Sequence, residues 1–125
     1  MPFDYLSARL RSVGYAVRGL ALLVCDEPNA RIHALATVLV IVAGAWLHLS
    51  PIEWGLIALA VASVWTAEAL NTAMETLVDL ISPKRQPLAA KAKDIAAGAV
   101  LVAAFGSVAI GLLVFVPHLL GLFEP

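Results

Sequence analysis

Apolar residues in this chain gather into three long runs, each set off by proline. The first extends from Ile32 to Leu49 and holds an uncharged core, ALATVLVIVAGAWL. The second follows Pro51, reads WGLIALAVASVWTA from Trp54 to Ala67, and continues with polar positions to about Ile81. The third, IAAGAVLVAAFGSVAIGLLVFV from Ile95 to Val116, carries no charge and meets Pro117, where the pattern predicts its end. A helix needs about 20 residues to cross a hydrocarbon layer of about 30 Å. The third run satisfies this outright, the first is slightly short, and the second has the length only if polar residues enter one half of it. Ahead of these runs, Leu6, Leu10, Val13, Val17 and Leu20 recur at helical spacing with Arg9, Arg11 and Arg18 between them. That is the pattern of an amphipathic helix in the headgroup plane, the alternative being a solvated helix docked on the rest of the chain. The pattern predicts an all-α membrane protein of one domain, 1–125. A surface helix is expected over about 4–25 and transmembrane helices over 30–49, 52–81 and 92–117.

Composition agrees with this class. Of the 125 residues 62% are apolar and 14% charged, against roughly 45–50% and 25% in soluble domains. The same figures exclude a collagen, a disordered tail, a disulfide scaffold and a basic nucleic-acid binder. Cys25 is the single cysteine and has no internal partner for a disulfide. A secretory signal peptide is not expected, because no apolar core follows the start and arginines continue through Arg18. The net charge of −1 matters less than where the cations fall. Arg9, Arg11, Arg18 and Arg31 precede the first span; Lys84, Arg85, Lys91 and Lys93 lie between the second and third. The loop from His48 to Glu53 and the tail after Pro117 have neither lysine nor arginine. The positive-inside rule then predicts a cytoplasmic N-terminus and second loop, and a C-terminus on the far side. Trp46 and Trp54 flank the first loop, as an aromatic belt would. His48 and His118 fall on that far side and are expected to face solvent.

The polar half of the second span carries the chemistry. Glu68, Asn71, Glu75 and Asp79 sit at i, i+3, i+7 and i+11, within an arc of roughly 80° on a helix. Counting about 20 residues from Pro51 puts Glu68 just inside the apolar layer and Glu75 and Asp79 toward the cytosol. A carboxyl inside a span marks a functional site by default. Glu68 and Glu75 are about 10.5 Å apart along the axis, too far to clasp one ion together. Glu75 therefore needs a second oxygen ligand, from Asp79 or from the pair Asp26-Glu27, which leaves Glu68 for base chemistry. Three thin helices offer little room to bury four polar groups, so the stripe is expected to face another subunit or the surface helix. Gly98, Gly106 and Gly111 are expected to permit close approach on the third span.

These residues carry a resemblance. EALNTAMETLVDL (Glu68 to Leu80), AKDIAAGAVLVAA (Ala92 to Ala104), GYAVRGL (Gly14 to Leu20) and EPNARIH (Glu27 to His33) together resemble the bacterial diacylglycerol kinase family. These are small integral-membrane lipid kinases that include the undecaprenol kinases, and the likeness covers about Arg9 to Val116. The resemblance implies an ATP-dependent kinase that phosphorylates the hydroxyl of a membrane lipid, diacylglycerol to phosphatidic acid, or alternatively undecaprenol to its phosphate. It implies Glu68 as general base, Asn71 as the residue orienting groups around it, and Glu27 and Glu75 as ligands of Mg2+. Lys93 neutralises phosphate charge, Asp94 helps fix the nucleotide, Tyr15 lies against the adenine, and Arg9 or Arg11 reaches the phosphates. Some members add an aromatic in the second loop, where this chain has Lys84, Arg85 and Gln86. His33 is implied to contact headgroup or phosphate, and Asp79 is structural before catalytic. A homotrimer in the bacterial inner membrane, with no nucleic-acid partner, is also implied.

No G-x-x-x-x-G-K-[ST], G-x-G-x-x-G or H-R-D sequence is present, so neither soluble kinase design applies. Outside the kinase class, the acidic stripe also suits an oligomeric ion or proton pathway, or a structural subunit whose acids only clamp helices.

Overall fold

The computed structural model describes residues 2–84 and 86–123, with side chains from Leu6 onward. Arg85, Met1, Glu124 and Pro125 lie outside the described residues, and with them the part of the second-loop expectation that concerns Arg85. Four helices follow one another: α1 (Pro2–Asp26), α2 (Pro28–Trp46), α3 (Pro51–Ile81) and α4 (Pro87–Gly121). The last three are long and apolar enough to cross a membrane.

Each helix opens on a proline, which suits the first helical position because its missing N–H has no intrahelical partner there and its φ is already helical. This signal moves the boundaries away from those expected from the apolar runs alone, most visibly in α4, which begins at Pro87 rather than 92. Pro28 also explains the break between α1 and α2. The residue before a proline is pushed toward extended backbone, and Glu27 has φ −101° and ψ 118°. Arg31 folds back across the break, its guanidinium donating to the carbonyls of Val24 (3.1 Å) and Cys25 at the end of α1.

α2 stops at Trp46, short of the expected 49, in a Schellman turn. The N–H of Leu49 donates to Gly44 O and that of His48 to Ala45 O, which requires a left-handed residue between them. His48 supplies it with φ 55°. Leu49 then lies over Gly44: a Cβ there would stand 2.9 Å from both Leu49 Cδ1 and Trp54 CH2. The close approach expected of Gly98, Gly106 and Gly111 belongs in this chain to Gly44, since a Cβ at those three would meet nothing within 4 Å. Ser50 caps α3 in a capping box: its amide donates to Glu53 Oε2 (2.7 Å) and Glu53 N donates to Ser50 Oγ (3.4 Å).

Pro117 does not end the last helix, which runs through it to Gly121. A proline removes one helical hydrogen bond, and within apolar surroundings neighbouring groups compensate. The carbonyl left without its helical donor is that of Leu113; the His118 ring lies at Val114 O (2.9 Å) and Glu53 Oε1 (3.6 Å). His118 is therefore half-buried against α3 and not turned to solvent as expected, whereas His48 is exposed.

The α3–α4 hairpin carries most of the packing between elements; α2 lies against α3, and α1 touches mainly α2. The small core of Leu49, Ile57 and Val114 sits near the α2–α3 turn. Elsewhere large apolar side chains point outward, among them Val102, Leu113 and Leu39, as they do when hydrocarbon rather than water is the solvent. α3 and α4 are about 46 and 52 Å long at 1.5 Å per residue. Both exceed the hydrocarbon thickness and project beyond it.

Candidate active site

Glu68 is 2% exposed, the most enclosed large side chain among the described residues. The sequence led us to expect a second subunit or the surface helix beside it; within the single chain, the start of α2 also comes next to it. Ala30, in the first turn of α2, has no exposed surface, and His33 one turn later places Nε2 3.9 Å from Glu68 Oε2. That oxygen is buried without a hydrogen-bond partner. A buried carboxylate oxygen left unpaired is costly, so it is a group held ready for something the chain itself does not supply.

Asn71, one turn on, is also buried, and its Nδ2 donates to Glu75 Oε1 at 3.2 Å. Its Oδ1 is the second buried orphan. The amide thus turns its donor toward Glu75 and leaves its acceptor without a partner. Glu75 is half-buried. Glu27, although it precedes the first turn of α2, makes no side-chain capping bond. Glu27, His33 and Glu75 all lie within electrostatic range of Glu68. Of the oxygen ligands open to Glu75 on sequence grounds, Asp79 is paired with Lys93, whose Nζ lies 2.9 and 3.0 Å from its two oxygens. Asp26 is exposed. Among the described residues no three acidic or histidine side chains stand close enough together to hold a metal ion by themselves, so any ion here would draw part of its shell from the substrate.

These donors fit a magnesium ion carrying phosphates. Magnesium is hard, takes oxygen, and in such sites commonly uses one or two carboxylates with substrate oxygens completing the shell. Beside Glu75, a pocket of about 760 Å³ opens at the α3–α4 turn end, lined by Asp79, Lys84, Lys93 and Asp94. It sets cations next to the acids in a place open to water. Arg9, Arg11 and Tyr15 lie on the exposed length of α1; Arg11 Nη1 donates to Ser7 Oγ at 3.5 Å and Tyr15 is exposed.

On the other side of Glu68, an apolar groove of about 330 Å³ runs between α2, α3 and α4 from His33 to Phe115. Two hydrogen bonds that sequence reasoning missed cross it: Trp65 Nε1 donates to Thr37 Oγ1 (3.1 Å), and Ser107 Oγ donates to Ala60 O (3.0 Å). The available signal was isolated polar atoms inside apolar runs, which seek partners across helices.

An all-helical multi-pass membrane protein with a sunken carboxyl, acids and cations beyond it and an apolar groove before it has the parts of an enzyme acting between lipid and water. The sequence model described as prokaryotic diacylglycerol kinase matches residues 14–115. The chain is 45% identical to an undecaprenol kinase of Bacillus subtilis over 91% of its own length and 93% of the relative's. It is 42% identical to a diacylglycerol kinase of Synechocystis sp. over 90% of its length and 65% of that protein. A diacylglycerol kinase of Escherichia coli K12 is 33% identical over 75% of this chain and 77% of its own. The chain belongs to the prokaryotic diacylglycerol kinase family and is a lipid kinase, a phosphotransferase with a nucleotide donor. The ion-pathway and clamp readings are thereby set aside.

Proposed function

We propose that the protein transfers the γ-phosphate of ATP to the hydroxyl of a membrane lipid. The relatives' names supply two acceptors: diacylglycerol, which yields phosphatidic acid, and undecaprenol, which yields undecaprenyl phosphate. The observation that carries the reading is the buried, unpartnered Oε2 of Glu68 between the apolar groove and the charged pocket.

Glu68 takes the hydroxyl proton as the lipid oxygen bonds to phosphorus and the bond from the γ-phosphorus to the bridging oxygen breaks, releasing ADP. Phosphoryl transfer relies chiefly on positioning and charge neutralisation, and the other residues divide that work. Asn71 orients Glu75 through its Nδ2 and leaves Oδ1 toward the reacting groups. Glu27 and Glu75 hold Mg2+, which when bound offsets the charge of the phosphates. Lys93, swinging from Asp79, neutralises phosphate charge. Asp94 helps to fix the nucleotide, Arg9 or Arg11 reaches the phosphates, and Tyr15 lies against the base.

The same reading places α1 in the headgroup plane as an amphipathic helix, with the N-terminus and the α3–α4 turn cytoplasmic and the C-terminus outside the inner (cytoplasmic) membrane. Residues 1–125 act as one kinase domain, assembled as a homotrimer. In its support, every residue from Ala8 to Leu22 is exposed in the single chain, as are Leu101, Val102, Phe105 and Leu113 on α4. Purified protein given labelled ATP, magnesium and each lipid in turn tests the reading. Label should appear in phosphatidate or undecaprenyl phosphate; an unlabelled lipid fraction across the whole panel would refute it.

A further inference from the structure

The groove between α2, α3 and α4 has a chemistry that bears on which lipid alcohol it receives. Only His33, Thr37, Trp65 and Ser107 among its lining residues carry polar side-chain atoms. His33 lines the groove at the end nearest Glu68, 3.9 Å from its Oε2. Deeper in, every donor is already spent. The Thr37 hydroxyl donates to His33 O (2.7 Å), the Trp65 indole N–H to Thr37 Oγ1 (3.1 Å), and the Ser107 hydroxyl to Ala60 O (3.0 Å). Backbone N–H groups along the wall belong to helices. Beyond His33 the groove therefore offers lone pairs but no donor.

We propose that this groove takes the chain of the acceptor lipid, and that the Trp65–Thr37 and Ser107–Ala60 bonds select an ester-free lipid alcohol, of the polyprenol kind, over a glycerol diester. The inference rests on the lipid-kinase reading with Glu68 as base. An alcohol whose hydroxyl meets Glu68 lays its next atoms past His33 and beside Thr37, one helical turn of about 5.4 Å further in. A diacylglycerol carries its ester carbonyls only a few bonds from the hydroxyl, at this depth. Those carbonyls accept and cannot donate, so they enter unpaired, at the cost of a desolvated polar group. A polyprenol presents only hydrocarbon there and loses nothing. Thr37 and Trp65 are specificity-determining residues in this account, acting through the donor that one withholds from the other.

The test compares kcat/KM for a polyprenol and for a diacylglycerol in the same detergent. The wild-type protein is expected to favour the polyprenol. Thr37→Val leaves the Trp65 N–H without its acceptor and so available to an ester carbonyl, and should shift the ratio toward diacylglycerol by at least about fivefold. Thr37→Ala makes the same release if the valine variant does not fold. Trp65→Phe removes the N–H altogether and should keep the wild-type ratio whatever its total activity. The double variant Thr37→Val/Trp65→Phe should return to that ratio. Equal use of both lipids by the wild type overturns the groove assignment while leaving the kinase reading intact. So does a shift of the same size in Thr37→Val and Trp65→Phe, which would mean that the pair only holds the helices in place. Phosphorylation of neither lipid overturns both readings.

Discussion

Under the proposed mechanism two carboxylates on one helix do different work, because seven residues separate them. Glu68 is buried, and Glu75 is half-open beside the charged pocket. Glu68→Gln keeps the shape and removes the base. It is expected to lower turnover by about 10²–10⁴-fold with ATP binding intact, as measured by lipid phosphorylation and nucleotide titration. Glu75→Gln should instead raise the magnesium concentration needed for half-maximal rate. Asn71→Ala should raise it by a smaller factor, because it frees the Glu75 oxygen that Asn71 Nδ2 holds. An unchanged magnesium dependence in both variants would remove Glu75 from the metal site. The order of these residues was legible in the sequence, since spacing alone puts Glu68, Asn71 and Glu75 on one face. That His33 would face Glu68 at 3.9 Å was not, because it depends on how α2 packs against α3.

At the scale of elements, the ends of the helices rather than their apolar middles set the architecture. Pro28 breaks the chain at Glu27, and that bend places a carboxylate near Glu68 that a continuous helix would carry elsewhere. The α2–α3 turn depends on one close approach. Gly44→Ala would drive a methyl into Leu49 and Trp54 and should cost about 1–3 kcal/mol, read as a lower unfolding midpoint in detergent. Gly106→Ala meets nothing in the chain and should leave the midpoint of the dissociated chain unchanged. Ser50→Ala removes the cap that accepts from Glu53 N and should cost about 1 kcal/mol. Pro117 shows the limit of reading such signals singly. In water a proline stops a helix; in an apolar setting no other backbone arrangement satisfies the flanking groups, and the helix continues.

Over the whole molecule, surface distribution matters more than core size. The packed interior is confined to the α2–α3 turn end and to the buried carboxyl, while most of the apolar area faces outward. Exposed Cys25, close to the bend between α1 and α2, reports on orientation. A membrane-impermeant maleimide should label it in inverted vesicles and spare it in intact spheroplasts. The reverse result would invert the assignment from the basic residues. Cross-linking of the purified protein should give a species of three chains, with α1 at its contacts.

The chain's own order of residues determined that it is helical and multi-pass, which end carries the cations, and which side of α3 bears its acids. Each follows from a local rule: hydrocarbon admits only backbones that satisfy themselves, and a helix repeats every 3.6 residues. Tertiary structure alone decided that His33 of α2 stands beside the buried Glu68, that Lys93 pairs with Asp79, and that Trp65 and Thr37 spend each other's polar atoms across the groove. Those are contacts between residues distant along the chain, set by the crossing of helices and by how near a small side chain lets two of them come. No periodicity within one helix encodes that distance.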